Sequence, residues 1–163
     1  MTQAVLEPLA GTQQVAFNQK FLVRHGMSIV LDSSITLAWV YAEETTDVVL
    51  HLFDLVKTNG AWVPGLWRWE VANVLQMNVR RGRHAGDFRD RALSDLALFP
   101  IHVDAEAQRR AWIETPSLAA RHGLTVYDAS YLEIASRRKI PLATLDRQLR
   151  AAATGHGVQL LGE

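Results

Sequence analysis

The chain has 163 residues, 48% hydrophobic and 21% charged, the profile of one globular domain that can bury roughly 70% of its unfolded surface without staples. It contains no cysteine, which excludes disulfide frameworks, cysteine-based zinc sites and cysteine nucleophiles and suits a reducing cytoplasm. Seventeen Lys and Arg balance seventeen Asp and Glu, so any attraction to nucleic acid or an anionic membrane must be local.

In chain order, the first residues are polar and rich in glutamine (Gln3, Gln13, Gln14, Gln19). Glu7 and Pro8 stand where a signal peptide needs bases ahead of an apolar core. The longest apolar stretch, Ile35 to Ala42, is far shorter than the ~18 residues that cross a bilayer. Residues 1–27 read as an N-terminal extension and residues 28–163 as one domain, cytoplasmic and without membrane contact.

Ile29 to Asp32 predicts a short strand, after which Ser33 and Ser34 cap a helix to about Glu44. Thr45 or Thr46 caps a second helix whose Val48, Val49, Leu52, Leu55 and Val56 share a face, and Asn59-Gly60 stops it. A strand follows at Ala61 to Val63. Pro64 opens a helix to about Arg81, ended by Gly82, and another runs from His84 or Ala85 to Leu98. Ile101 to Val103 is a third strand. Asp104 caps a helix over Ala105 to Ala111 that Pro116 interrupts, and Gly123 closes the segment ending at His122. Val126 to Lys139 is helical, Leu142 to Thr144 a fourth strand, Asp146 to Ala153 a short helix and Val158 to Leu161 a last strand. This alternation specifies an α/β/α sandwich around a central parallel sheet of four to five strands. In such sheets, sites form at the carboxyl ends of the strands.

Two acids fall at those ends: Asp32 closes the first strand and Asp146 follows the fourth. Each is also a good helix cap, and both readings stay open. Glu70 and Asp128 are less easily explained by local structure. Glu70 has Leu66, Trp67, Asn73 and Val74 at helical spacing, and Asp128 has Leu124, Thr125, Tyr131 and Leu132, so neither has a local cation. For Asp128 the plain alternative is a capping box with Thr125. Were the four to converge, each pair at ~4 Å would repel by about 4 kcal/mol at an effective dielectric near 20. Raised pKa values or a divalent cation would be required. Oxygen-only donors select Mg²⁺ or Mn²⁺, and carboxylate-held Mg²⁺ points to phosphate chemistry.

The segments IVLDSSITLAWVYAEE, PGLWRWEVANVL, LTVYDASYLEIA and PLATLDRQLRAAATGHGVQLL occur in that order from Ser28 to Leu161. With them the chain resembles the PIN-domain family, and within it the VapC-type toxins of toxin–antitoxin pairs. The resemblance implies that Asp32, Glu70, Asp128 and Asp146 are the family's acidic quartet, catalytic and metal-binding. It implies supporting roles for Ser33, Asn73 and Thr144, and metal-dependent hydrolysis of RNA that leaves a 5′-phosphate. It also implies a small antitoxin whose C-terminal segment occupies the groove, and a homodimer. The apolar faces of Thr46 to Val56 and Arg68 to Val79 are candidate docking surfaces, a pattern that plain core helices share. Two features depart from the family pattern. Trp67 and Trp69 are bulky beside Glu70 and either wall the groove or fill core, core being the commoner place for such side chains, and family chains typically begin at the equivalent of Met27, which would leave 137 residues.

Local bases could grip RNA: Arg80, Arg81 and Arg83, and the cluster of Arg137, Arg138 and Lys139. Solvated helix ends favoured by the macrodipole explain them equally well. The six histidines (25, 51, 84, 102, 122, 156) show no i, i+4 pair, and no G-x-S-x-G elbow exists. A phosphoacceptor receiver domain would want paired early acids and a late lysine, which are missing. Two rivals remain: a PIN-like module that binds without cutting, and a PIN nuclease outside toxin–antitoxin systems.

Overall fold

A computed structural model of the chain describes residues 28–41, 43 and 45–162; the expected N-terminal extension lies outside them. The described elements are β1 (Ile29–Leu31), α1 (Ser33–Val40), α2 (Asp47–Asn59), β2 (Ala61–Val63), α3 (Trp67–Arg80), α4 (Gly86–Leu96), β3 (Ile101–Val103), α5 (Ala105–Arg110), α6 (Glu114–His122), α7 (Val126–Arg138), β4 (Leu142–Ala143), α8 (Arg147–His156) and β5 (Leu160–Leu161). The strands form one sheet in the order β3-β2-β1-β4-β5, every neighbouring pair parallel. The α/β/α architecture expected from the alternation of elements is therefore the one observed. No described helix is long and apolar enough to cross a membrane.

Five of the eight described helix starts carry a side-chain cap. Asp32 caps α1, Thr46 caps α2 by accepting from Val49 N–H at 3.3 Å, and Asp104 caps α5 by accepting from Ala107 N–H at 2.9 Å. Thr125 and Asp146 do the same for α7 and α8. Gly60 ends α2 with φ +73°, and a Cβ there would lie 2.8 Å from the Pro100 carbonyl oxygen, so only glycine makes this turn against β3.

Three boundaries differ from expectation. Pro64 precedes α3 rather than opening it: residues 64–66 turn first, with Trp67 N–H donating to Pro64 O at 3.1 Å, which places Glu70 in the first turn of the helix. Pro116 does not break the chain; it is the third residue of α6, where a missing N–H is tolerated, and the break falls at 111–113. Finally, α8 runs through Gly155 to His156, which shortens β5 to two residues.

The core lies on both faces of β1, whose three residues are fully buried, and includes Ile35, Leu52, Leu55, Leu75, Leu132, Ile134 and Leu149. The apolar faces of α2 (Val49, Leu52, Leu55, Val56) and of α3 (Trp67, Val71, Leu75) pack into this core. They are therefore not free docking surfaces. Trp67 is 5% exposed and its indole N–H donates to Thr36 Oγ1 at 3.2 Å, pinning α3 to α1. The expectation that Trp69 is also core is wrong. It is 78% exposed, because the two residues from Trp67 turn the side chain about 200° around the helix and carry it off the buried stripe.

Candidate active site

The β1 end is built around Asp32, whose carboxylate is buried. Its Oδ2 accepts from Ser34 Oγ at 2.5 Å and from Thr144 Oγ1 at 2.7 Å. Those two hydroxyls in turn receive backbone donors from the loop after β4: Leu145 N–H to Ser34 Oγ at 2.9 Å and Asp146 N–H to Thr144 Oγ1 at 3.0 Å. Pairing of β1 with β4 continues to the mouth through Asp32 N–H to Ala143 O at 3.0 Å. Burial pushes the Asp32 carboxyl above its usual range, and the bonds from Ser34 and Thr144 offset that only in part.

Glu70 reaches this end from the first turn of α3. The Tyr131 hydroxyl of α7 donates a short hydrogen bond to its Oε2. Its carboxyl is pushed from 4.5 up to about 7, first by burial and then, against the Tyr131 bond, by the charges of Asp32 and Asp128. Burial, with Glu70 and Asp32 beside it, likewise raises Tyr131, so this phenol stays a hydrogen-bond donor at any ordinary pH. The Ser33 hydroxyl offsets a small part of the rise at both groups.

Asp128 bonds to the cap residue Thr125 as its spacing allowed, through the side chain: the Thr125 hydroxyl donates to Oδ2 at 2.7 Å and accepts from Asp128 N–H at 3.1 Å. Asp146 accepts from Leu149 N–H at 2.8 Å as the cap of α8. Capping and participation in the site are thus compatible. The structure brings Asp32, Glu70 and Asp128 into one electrostatic neighbourhood and joins Asp146 to it through Thr144. Among the described residues no three His, Cys, Asp or Glu side chains form a ready-made metal cage. The donor chemistry nevertheless suits a hard divalent ion: the groups are carboxylates, and Glu70, lifted mainly by burial, also feels the charges of Asp32 and Asp128.

Of the supporting residues expected, Thr144 touches Asp32 and Ser33 faces Glu70 and Tyr131, whereas Asn73 is exposed on α3 and makes no hydrogen bond among the described residues. Two residues were not anticipated, Ser34 and Tyr131. Ser34 stands two residues after Asp32, a spacing that already permits the bond. Tyr131 stands at helical spacing from Asp128, but its bond is to Glu70, 61 positions away.

The arginine clusters do not gather here. Arg137 donates to Asp104 at 2.9 Å and to Glu133 at 2.7 Å; Arg138 donates to Asp104 at 2.5 Å and lies 3.4 Å over the Trp62 ring. Arg137 and Arg138 are both bonded to the buried Asp104 carboxylate, which is held low despite its burial by bonds from Arg138, Ala107 N–H and Arg137. Arg80, Arg81 and Arg83 lie at or beyond the far end of α3, about 15 Å along the helix from Glu70.

Comparison with known proteins places this geometry. A model of the PIN domain matches residues 29–155. Ribonuclease VapC3 of Pyrobaculum aerophilum is 33% identical over 76% of this chain and 92% of its own length. The crystal structure of PAE2754 from the same organism superposes with a TM-score of 0.60 at 26% identity, covering 78% of this chain and 85% of that one.

Proposed function

The chain belongs to the PIN-domain family, and on that premise we propose that it is a metal-dependent endoribonuclease, the toxin of a VapC-type toxin–antitoxin pair. The observation that carries the reading is the shared neighbourhood of Asp32, Glu70 and Asp128 at one end of the sheet, with the Glu70 carboxyl lifted to about 7. The similarity to a protein named a ribonuclease over 76% of the chain supports RNA as the substrate.

Asp32, Glu70, Asp128 and Asp146 would hold Mg²⁺ or Mn²⁺, which when bound supplies Lewis acidity toward a phosphodiester and toward the water that attacks it. The chain's own residues fix the acids in place. Ser34 and Thr144 hold the Asp32 carboxylate in one orientation, and the Leu145 and Asp146 amides hold those hydroxyls. Tyr131 holds Glu70 from the opposite helix. Without a cation these carboxylates repel a phosphodiester, so substrate binding and hydrolysis both depend on the metal.

The test is incubation of the full chain with a broad RNA set in Mg²⁺, Mn²⁺ or EDTA, beside Asp32→Asn. Cleavage that needs divalent metal and drops about 100-fold or more in the variant is expected. No metal-dependent cleavage, or equal cleavage by the variant, overturns the reading. The toxin assignment further expects a small co-purifying antitoxin, identified by mass spectrometry, and a homodimer by light scattering. A chain that is isolated alone and is harmless when expressed would refute it.

A further inference from the structure

Beside the carboxylates lies an open groove of about 790 Å³ lined by Ala111, Trp112, Pro116, Thr125, Val126 and Tyr127. Trp112 is 93% exposed and Tyr127 64%, and among the described residues neither ring packs against another aromatic ring. One wall is the start of α7, preceded by its cap Thr125; the other is the 111–113 turn with Pro116 of α6. The groove adjoins Asp128, one of the site's acids. Tyr127 adjoins Asp128 in the chain, and Thr125, which lines the groove, donates to Asp128 Oδ2. No charged side chain lines it.

Flat apolar walls with no charge do not hold a phosphate, and exposed rings beside a reactive site usually mark a place where a partner covers them. A phosphodiester seated at the carboxylates carries its next base within one nucleotide of Asp128. An unpaired base offers the π-face that such rings accept, whatever its sequence. Accepting the endoribonuclease reading above, we propose that this groove is a nucleobase subsite in which Tyr127 and Trp112 stack an unpaired base adjoining the scissile phosphate. The site then selects RNA that is single-stranded at that position, because a paired base keeps its faces inside the helix.

The experiment uses the full chain carrying Asp32→Asn in excess Mg²⁺, which prevents cleavage while three carboxylates remain to hold the cation, and a single-stranded RNA heptamer with 2-aminopurine at each position in turn. Stacking quenches the 2-aminopurine at one position. Trp112→Ala and Tyr127→Ala each weaken binding about 10-fold or more, whereas Trp112→Phe and Tyr127→Phe keep it within about 3-fold, and Leu98→Ala, an exposed residue after α4, leaves it unchanged. In the cleaving background Trp112→Ala raises KM more than it lowers kcat. Circular dichroism confirms that the variants fold. If both alanine variants bind and cut as the parent does, the subsite is refuted while the nuclease reading stands. If they keep RNA binding but lose a co-purifying protein, the groove is a protein interface and the proposal fails. If the parent chain neither binds nor cuts RNA, both readings fall together.

Discussion

Replacing Glu70 by glutamine in metal-free protein should stabilise the fold at alkaline pH and leave it nearly unchanged in acid. The carboxyl is lifted from 4.5 to about 7, so between those values the native state holds a proton that the unfolded chain has released. Stability of the wild type therefore falls as pH rises through that window. The lift sets a ceiling of about 3 kcal/mol, and because Glu70 keeps part of its surface in water, screening reduces this to about 1–2 kcal/mol. Glutamine still accepts the Tyr131 hydrogen bond and carries no charge, so the substitution isolates the electrostatic effect. Urea unfolding in EDTA at pH 4.5 and pH 8.5 measures it: the two proteins should nearly coincide in acid and diverge by about 1–2 kcal/mol in base, about 5 °C in Tm. Excess Mg²⁺ at pH 8.5 should close the gap by stabilising wild type alone. A difference independent of pH, or one that favours wild type as pH rises without metal, would refute the assignment of Glu70 to a crowded carboxylate cluster.

Asp104→Ala should cost about 3 kcal/mol, the lower end for a broken buried pair, since the orphaned Arg137 and Arg138 are 23% and 30% exposed; thermal melting reads it. Trp67→Ala should cost about 3–5 kcal/mol through its cavity and the lost bond to Thr36, while Trp69→Ala stays within about 0.5 kcal/mol; equal effects would contradict the burial difference between them. Burial, then His122 and Arg121, holds the His156 imidazole below its ordinary 6.5. The unfolded chain thus protonates first as pH falls below 6.5, and stability is lost on the acid side. In His156→Gln, Tm measured from pH 7.5 to 5.0 should show a flatter acid limb than wild type.

The sheet was legible because its strands are short apolar runs bracketed by caps and stops. Ala61–Val63 and Ile101–Val103 fall where composition places them, and Asp32, Asp104, Thr125 and Asp146 cap as their positions suggest. Asp32 and Asp146 stood out by their place at strand ends, Glu70 and Asp128 by the lack of a local cation. Partners distant in the chain were not legible. Nothing within a helical turn of Arg137 or Arg138 announces Asp104, 33 and 34 positions away, and without it both looked available to RNA. His122 and His156, also 34 apart, meet at 3.1 Å with no i, i+4 spacing to reveal them. Trp69 failed for another reason: hydrophobicity marks which residues prefer burial, and only helix phase decides which obtain it.

The hydrogen bond from Thr144 to Asp32 closes 112 positions of chain. A contact of that span is among the last a growing polypeptide can make, since its second partner is absent until nine-tenths of the sequence has been synthesised. Before then Asp32 has neither Thr144 nor the β4 backbone to hold it, and Asp146 does not yet exist. A chain that ends before Thr144 therefore lacks the hydroxyl and the backbone that orient Asp32, and Asp146 with them, so premature termination there yields a fragment without the organised site.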